Sequence, residues 1–240
     1  MLTQIAAILF DLFDTLCHLD ELQYREGKRR SARILGLEPN RYFDAWLDLQ
    51  ELSQRGLLRT ARDRIREVCR NLGRAPGEEV LEAAARQEEE VLLRCATLHP
   101  DVVPTLERLR SFPDLRMALV SNATPSARAL LGPLGLQEYF PVAVFSCEVG
   151  SVKPEPAIYQ EACSRLSVAA PRCLFVGDGN GRELDGALGV GMRAVRIERP
   201  SVMAPYRQDP SQKWDFSLSD LRQLSDLLEG RQGSGTSAES

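Results

Sequence analysis

The chain opens on an apolar run, Ile5-Ala6-Ala7-Ile8-Leu9-Phe10, that stops abruptly at Asp11. A short, unbroken apolar run of this kind suits a strand buried on both faces of a parallel sheet, and such strands present functional side chains at their carboxyl ends. From about Leu19 to about Ala96 the pattern changes. Apolar residues there recur at helical spacing among Arg, Glu, Leu and Ala, with no strand, and with breaks at Gly36-Leu37-Glu38-Pro39-Asn40, at Gly56 and at Arg74-Ala75-Pro76-Gly77. After Pro100 the two periodicities alternate. Helices are expected over 102–110, 125–131, 156–166 and 219–228, and strands over 116–121, 141–146, 173–177 and 194–197. This rhythm predicts an α/β fold, a doubly wound parallel sheet built by right-handed crossovers. Its core is expected to comprise 1–17 and 98–229, with an α-helical domain inserted over 18–97 and a disordered Gly/Ser-rich tail over 230–240.

Composition narrows the class. With 240 residues, 43% hydrophobic and 27% charged, the chain can bury a full core. A net charge of −4 gives no electrostatic footprint for nucleic acid. No apolar run reaches the roughly 20 residues that span a bilayer, and Asp11 interrupts an N-terminal segment that has no basic flank, so neither a membrane span nor a signal peptide is expected. Six dispersed cysteines, at 17, 69, 95, 147, 163 and 173, suit free thiols in a reducing, cytoplasmic setting.

Within the helical stretch, Tyr42, Phe43, Trp46, Leu49 and Leu52 fall near helical spacing and are expected to form the insert's own core. Arg25, Lys28, Arg29, Arg30 and Arg33 are expected on a solvated helix face balanced by Glu21 and Glu26, rather than as a lid for a substrate anion. His18 and His99 lie where the chain leaves and re-enters the core, which favours hinge roles over substrate roles. Cys17 is close to the first motif but lacks a neighbouring base.

Four patterns at strand ends carry the chemistry: Phe10-Asp11-Leu12-Phe13-Asp14-Thr15-Leu16, Val120-Ser121-Asn122, Val152-Lys153-Pro154, and Val176-Gly177-Asp178 with Glu183. Asp11 is either a turn residue or a carboxylate nucleophile able to form an aspartyl-phosphate. Asp178 and Glu183 have the hard oxygen donors that suit Mg²⁺, and Lys153 and the Ser121 hydroxyl suit the oxygens of a transferring phosphoryl group. Asn122 joins Ser121 and Lys153 as a phosphate-binding candidate, and Asn122 and Thr124 also have the side chains of helix caps.

These ordered motifs, with a helical insert between the first two, make the sequence resemble the haloacid dehalogenase superfamily over almost its whole length. The resemblance implies a Rossmann-like core with a helical cap. By it, Asp11 matches the nucleophile, Ser121 and Lys153 the phosphate-binding residues, and Asp178 the metal-binding Asp. The second metal acid falls on Glu183, with Asp185 as the other candidate. The main departure is Phe13: phosphatases of the superfamily carry there an Asp that protonates the leaving group and then activates water. Phe13 keeps a backbone carbonyl for the metal but moves no proton, and Asp14 reads as a turn residue. The resemblance therefore implies a small-molecule hydrolase, monomeric or homodimeric. Its leading reading is a Mg²⁺-dependent phosphatase of a phosphorylated metabolite that favours aryl or acyl over alkyl leaving groups. Halide displacement from a 2-haloacid, which needs no proton, is a second reading, and a weakly catalytic phosphate-ligand-binding protein is a third.

Overall fold

The computed structural model describes residues 4–199 and 209–230. In chain order the elements are β1 (Ala7–Phe10), β2 (Cys17–Leu19), α1 (Glu21–Ile34), α2 (Pro39–Asp48), α3 (Gln50–Gln54), α4 (Ala61–Asn71), α5 (Glu78–Cys95), β3 (Ala96–Leu98), α6 (Val102–Arg110), β4 (Arg116–Ser121), β5 (Val142–Phe145), α7 (Ser146–Val149), α8 (Pro156–Leu166), β6 (Cys173–Gly177), α9 (Glu183–Gly189), β7 (Arg193–Ile197), β8 (Phe216–Leu218) and α10 (Gln223–Glu229). Six parallel strands form one sheet in the order β5-β4-β1-β6-β7-β8. This is the doubly wound core that the alternation predicts.

Burial on both faces explains the unbroken apolar runs. Ile8 and Phe10 of β1 join one cluster with Val102, Leu106 and Leu109 of α6 and Leu224 of α10. The alternate residues, Ala7 and Leu9, join the other with Ile158, Tyr159 and Ala162 of α8 and Leu184 and Ala187 of α9. Asp11, one residue past β1, is where this strand leaves the apolar layers.

Helices α1, α2, α4 and α5 pack on a third cluster of their own, including Tyr42, Trp46, Ile65, Val68, Leu81 and Ala84. Their starts are written locally. Asp20 caps α1 by accepting from the Gln23 N–H at 2.9 Å, Thr60 caps α4 by accepting from Asp63 at 3.0 Å, and Pro39 opens α2. The insert's two ends run side by side as an antiparallel ribbon, Cys17 opposite Leu98 and Leu19 opposite Ala96.

Several expectations need correcting. The reading of 19–96 as strand-free misses the β2–β3 ribbon at its borders, and β8 was not expected either: three-residue strands are too short for a period of two to register. Residues Pro125–Leu130 form a 3₁₀ rather than an α-helix, and the last helix begins at Gln223 instead of Ser219. Tyr42, Trp46 and Leu49 are buried as expected, but Phe43 is only half-buried and Leu52 is exposed. The positions expected in a disordered tail lie, beyond Gly230, outside the described residues. No helix among the described residues is long and apolar enough to cross a membrane.

Candidate active site

Adjacent strands bring the motifs together. β1 lies between β4 and β6, so their carboxyl ends set Asp11, Ser121-Asn122 and Asp178 along one edge of the sheet. The Asp11 amide donates to the Val176 carbonyl at 2.9 Å and the Asp14 amide to that of Cys17 at 2.7 Å, which pins the backbone on either side of Phe13. Asp14 itself sits in the left-handed region, φ 57°, which Asp tolerates in turns.

Asp11, Lys153, Asp178 and Glu183 are all buried. The Lys153 ammonium contacts Asp11 Oδ1 and stands 2.5 Å from Glu183 Oε2. Glu183 Oε1 accepts from the Gly179 amide at 3.0 Å, and Asp178 Oδ1 accepts from Asn180 at 3.1 Å. Oxygen atoms of Asp11, Asp178 and Glu183 lie within 4.8 Å of one another. Three buried carboxylates so close together present hard oxygen donors of the kind that suit one divalent cation. Burial, reinforced by the neighbouring Asp178 charge, raises the Asp11 carboxyl against the pull of Lys153, and burial raises Glu183 well above its ordinary range. Burial alone works against the Lys153 ammonium, yet the charges of Asp11 and Glu183 outweigh it and hold the group at about 12.

The supports are specific. A Cβ on Gly177 would fall 2.1 Å from Glu183 Oε1, so only glycine lets that carboxylate fold back over the strand end. The Tyr159 hydroxyl donates to the Glu183 carbonyl at 2.6 Å, a contact with no signal in the sequence. Asp185, the other candidate acid, instead accepts from the amides of Gln212 and Lys213 and pairs with Arg182, and it stands outside the trio.

Among the phosphate-binding candidates, Ser121 is buried and its Oγ has no hydrogen-bond partner. Asn122 differs from the expectation: its side chain is taken up by Lys153, donating to that residue's carbonyl at 3.0 Å and accepting from its amide at 2.7 Å. It positions the lysine and leaves no side-chain cap for the following turn. Thr124 holds the cap position there without a side-chain bond.

One cavity of about 440 Å³ joins this cluster to the helical insert. Its core wall includes Asp11, Phe13, Asn122, Lys153, Asp178 and Glu183, and its insert wall includes Tyr24, Lys28, Trp46, Gln50, Arg64 and Glu88. Phe13 is half-buried and packs against the core cluster. Lys28 corrects the reading of a solvated basic face. Arg25, Arg29, Arg30 and Arg33 do pair with Glu21 or Glu26, but Lys28 points inward, is 3% exposed and pairs with Glu88 of α5. Tyr42 donates to the same carboxylate at 2.9 Å. The insert meets the core through Arg55, 2.6 Å from Glu155, whose other oxygen accepts from Ser151 and Val152 just before Lys153.

The two histidine rings lie 5.0 Å apart and tilted by 42°, His18 on β2 and His99 just past β3, and neither lines the cavity. Burial, with the Arg199 charge, pushes His99 down to about 4. All six cysteines are free thiols, and burial pushes the Cys17 thiol far up, which makes it a poor nucleophile.

Comparison with known proteins agrees with this fold. A family model for haloacid dehalogenase-like hydrolases matches residues 5–191. The chain is 28% identical over 235 residues to a glyceraldehyde 3-phosphate phosphatase of Methanopyrus kandleri, covering 93% of this chain and 97% of that one. Among solved structures, a phosphatase of the same superfamily from Thermococcus onnurineus superposes with a TM-score of 0.64 at 26% identity, over 93% of this chain and 98% of that one. A 2-haloacid dehalogenase from Pseudomonas syringae superposes with a TM-score of 0.70, also at 26% identity, over 94% and 99%.

Proposed function

The chain belongs to the haloacid dehalogenase-like hydrolase family, and on that premise we propose that it is a Mg²⁺-dependent phosphatase of small phosphorylated molecules, with Asp11 as nucleophile. The observation that carries this reading is the buried cluster of Asp11, Asp178 and Glu183 oxygens with Lys153 against Asp11 and Glu183, at the sheet edge that also holds the unpartnered Ser121 hydroxyl. In this reading Mg²⁺ is held by Asp11, Asp178, Glu183 and the backbone carbonyl of Phe13, and when bound it supplies Lewis-acid polarisation and charge neutralisation.

The chain's own residues do the rest. A carboxylate oxygen of Asp11 attacks phosphorus, an Asp11 O–P bond forms, and the ester P–O bond breaks with its electron pair passing to the departing oxygen. Water then attacks phosphorus, freeing phosphate and restoring the carboxylate. Lys153 moves its charge from the carboxylate to the phosphoryl oxygens as that bond forms, and Ser121 donates to the same oxygens. The insert, 18–97, serves as a cap that excludes water, docked through Arg55 and Glu155. Phe13 has no proton to give, so good leaving groups are favoured. The free, dispersed cysteines fit a cytoplasmic enzyme.

Phe13 also favours a second reading, displacement of halide from a 2-haloacid, which needs no acid. The trio of carboxylates argues against it, since a halide-displacing site gains nothing from concentrated negative charge. Steady-state hydrolysis of p-nitrophenyl phosphate, with and without Mg²⁺, separates the two. Turnover should require both the metal and Asp11, falling to background in Asp11→Asn. Metal-independent chloride release from 2-chloropropionate, with no phosphate release, would overturn the phosphatase reading.

A further inference from the structure

The loop that carries Asp178 and Glu183 is held from outside by a short stretch that follows β7 in the chain. Residues 178–183 leave β6 and enter α9 through a 3₁₀ turn, and three of them, Gly179, Gly181 and Arg182, stand at φ 90°, 60° and 57°. Arg182 is no glycine, and a residue with a side chain rarely occupies the left-handed region unless its surroundings hold it there. The loop's own amides orient the acids: Gly179 donates to Glu183 Oε1 and Asn180 to Asp178 Oδ1. Where the carboxylates point therefore depends on where this backbone lies.

Residues 209–213 fix that backbone. The Ser211 amide donates to the Gly179 carbonyl at 2.7 Å, and the Ser211 hydroxyl accepts from the Leu184 amide at 3.0 Å. Gly179 directly follows Asp178 and Leu184 directly follows Glu183, so one buried serine bridges the two acids with its main chain and its side chain. The flanking contacts reach the same loop and the first turn of α9. The Arg182 amide donates to the Asp209 carbonyl at 2.9 Å, and the amides of Gln212 and Lys213 donate to Asp185 at 3.1 and 3.0 Å. The stretch is itself moored to the sheet, because Asp215 exchanges two hydrogen bonds with Ala194 of β7, at 2.9 and 2.7 Å.

We propose that Ser211 is a positioning residue for the metal acids: by joining the residue after Asp178 to the residue after Glu183 it fixes the separation of the two carboxylates, and with it the affinity for a divalent cation. This rests on the cluster being a Mg²⁺ site, as inferred above. Groups that orient metal ligands from behind are worth about 10–100-fold in metal affinity. Ser211 acts one step further back, through the backbone, so its hydroxyl should account for the lower end, about 10-fold. A serine that merely tied two segments together would lower the stability of the fold and leave that affinity unchanged.

The Mg²⁺ dissociation constant can be read without substrate from the rise in melting temperature of the full chain with Mg²⁺ concentration. Ser211→Ala should weaken Mg²⁺ binding about 10-fold. Ser211→Thr keeps the hydroxyl and should bind Mg²⁺ as the unaltered protein does. Ser211→Cys, close in shape to serine but a weak acceptor, should behave as the Ala variant and guards against its misfolding. A folded Ala or Cys variant that binds Mg²⁺ undiminished, or a Thr variant as weak as the Ala one, would overturn the role of Ser211. Absence of any Mg²⁺-dependent stabilisation in the unaltered protein would overturn the metal reading itself, and this proposal with it.

Discussion

On the mechanism proposed above, replacing Phe13 by Asp should widen the range of leaving groups the protein can hydrolyse. The backbone on either side of residue 13 is fixed by the Asp11–Val176 and Asp14–Cys17 hydrogen bonds, so the new carboxyl would stand in the cavity that Phe13 lines, two residues from the nucleophile. A positioned general acid contributes about 10²–10⁴-fold. That gain is available only where the leaving oxygen needs a proton: p-nitrophenolate departs without one at neutral pH, whereas ethoxide does not. Half-buried Phe13 packs against the core, and losing that contact should cost about 1–2 kcal/mol, below the roughly 3 kcal/mol of a fully buried Phe. A fourth carboxylate also raises the excess negative charge of the metal-free cluster, so more of the lost stability should return with Mg²⁺ than in the unaltered protein. The assay is kcat/KM for ethyl phosphate and p-nitrophenyl phosphate in both proteins, with thermal unfolding as the check on folding. The ratio of ethyl to p-nitrophenyl turnover should rise about 100-fold or more. A folded variant in which both substrates change by the same factor would refute the assignment of the missing proton to position 13.

Three other outcomes follow from the same geometry. In Gly177→Ala the added methyl would collide with Glu183 Oε1, and the Mg²⁺ concentration for half-maximal p-nitrophenyl phosphate turnover should rise about 10–100-fold with Asp11 undisturbed. Asp101 is buried in a bidentate pair with Arg199, at 2.8 and 2.9 Å, and accepts from the Leu221 amide; Asp101→Ala strands the guanidinium and should cost about 3–5 kcal/mol in urea unfolding. His99 titrates near 4 in the fold against 6.5 unfolded, so the unfolded chain binds the extra proton between those values. Its contribution is intact above pH 6.5 and is lost as pH falls toward 4, by about 1 kcal/mol once solvent screening of this half-buried ring is allowed for, and His99→Gln should flatten the stability profile across that window.

The core was legible because its strands are buried on both faces and punctuated by Pro, Gly and Asp. Arg116–Ser121, Pro156–Leu166 and Cys173–Gly177 fall where the pattern sets them. The buried meeting of Asp11, Asp178 and Glu183 follows from the same logic, since their motifs end a strand or open a helix at one sheet edge, whereas Lys153, expected at a strand end, comes from the turn between α7 and α8. The hold of Asn122 on Lys153 was not legible because a short amide at a strand end suits phosphate and backbone equally, and only the approach of Lys153 shows where the side chain goes. The insert wall was illegible for a related reason. Lys28 and Arg29 are neighbours of the same chemistry on one helix, and one is buried against Glu88 while the other faces solvent. That difference is set by the packing of α1 on α5, which no local pattern encodes.

The β2–β3 ribbon has a consequence for descent. Because Cys17 faces Leu98, the chain departs from and returns to nearly the same point, and the parallel sheet is indifferent to what lies between. Loop-closure entropy grows only slowly with length, so a helical segment of another size grafted across this junction would burden the core little. Lineages can therefore exchange the insert's wall of the cavity while inheriting the sheet-edge wall beneath it intact, and the two halves of the cavity are free to carry separate histories.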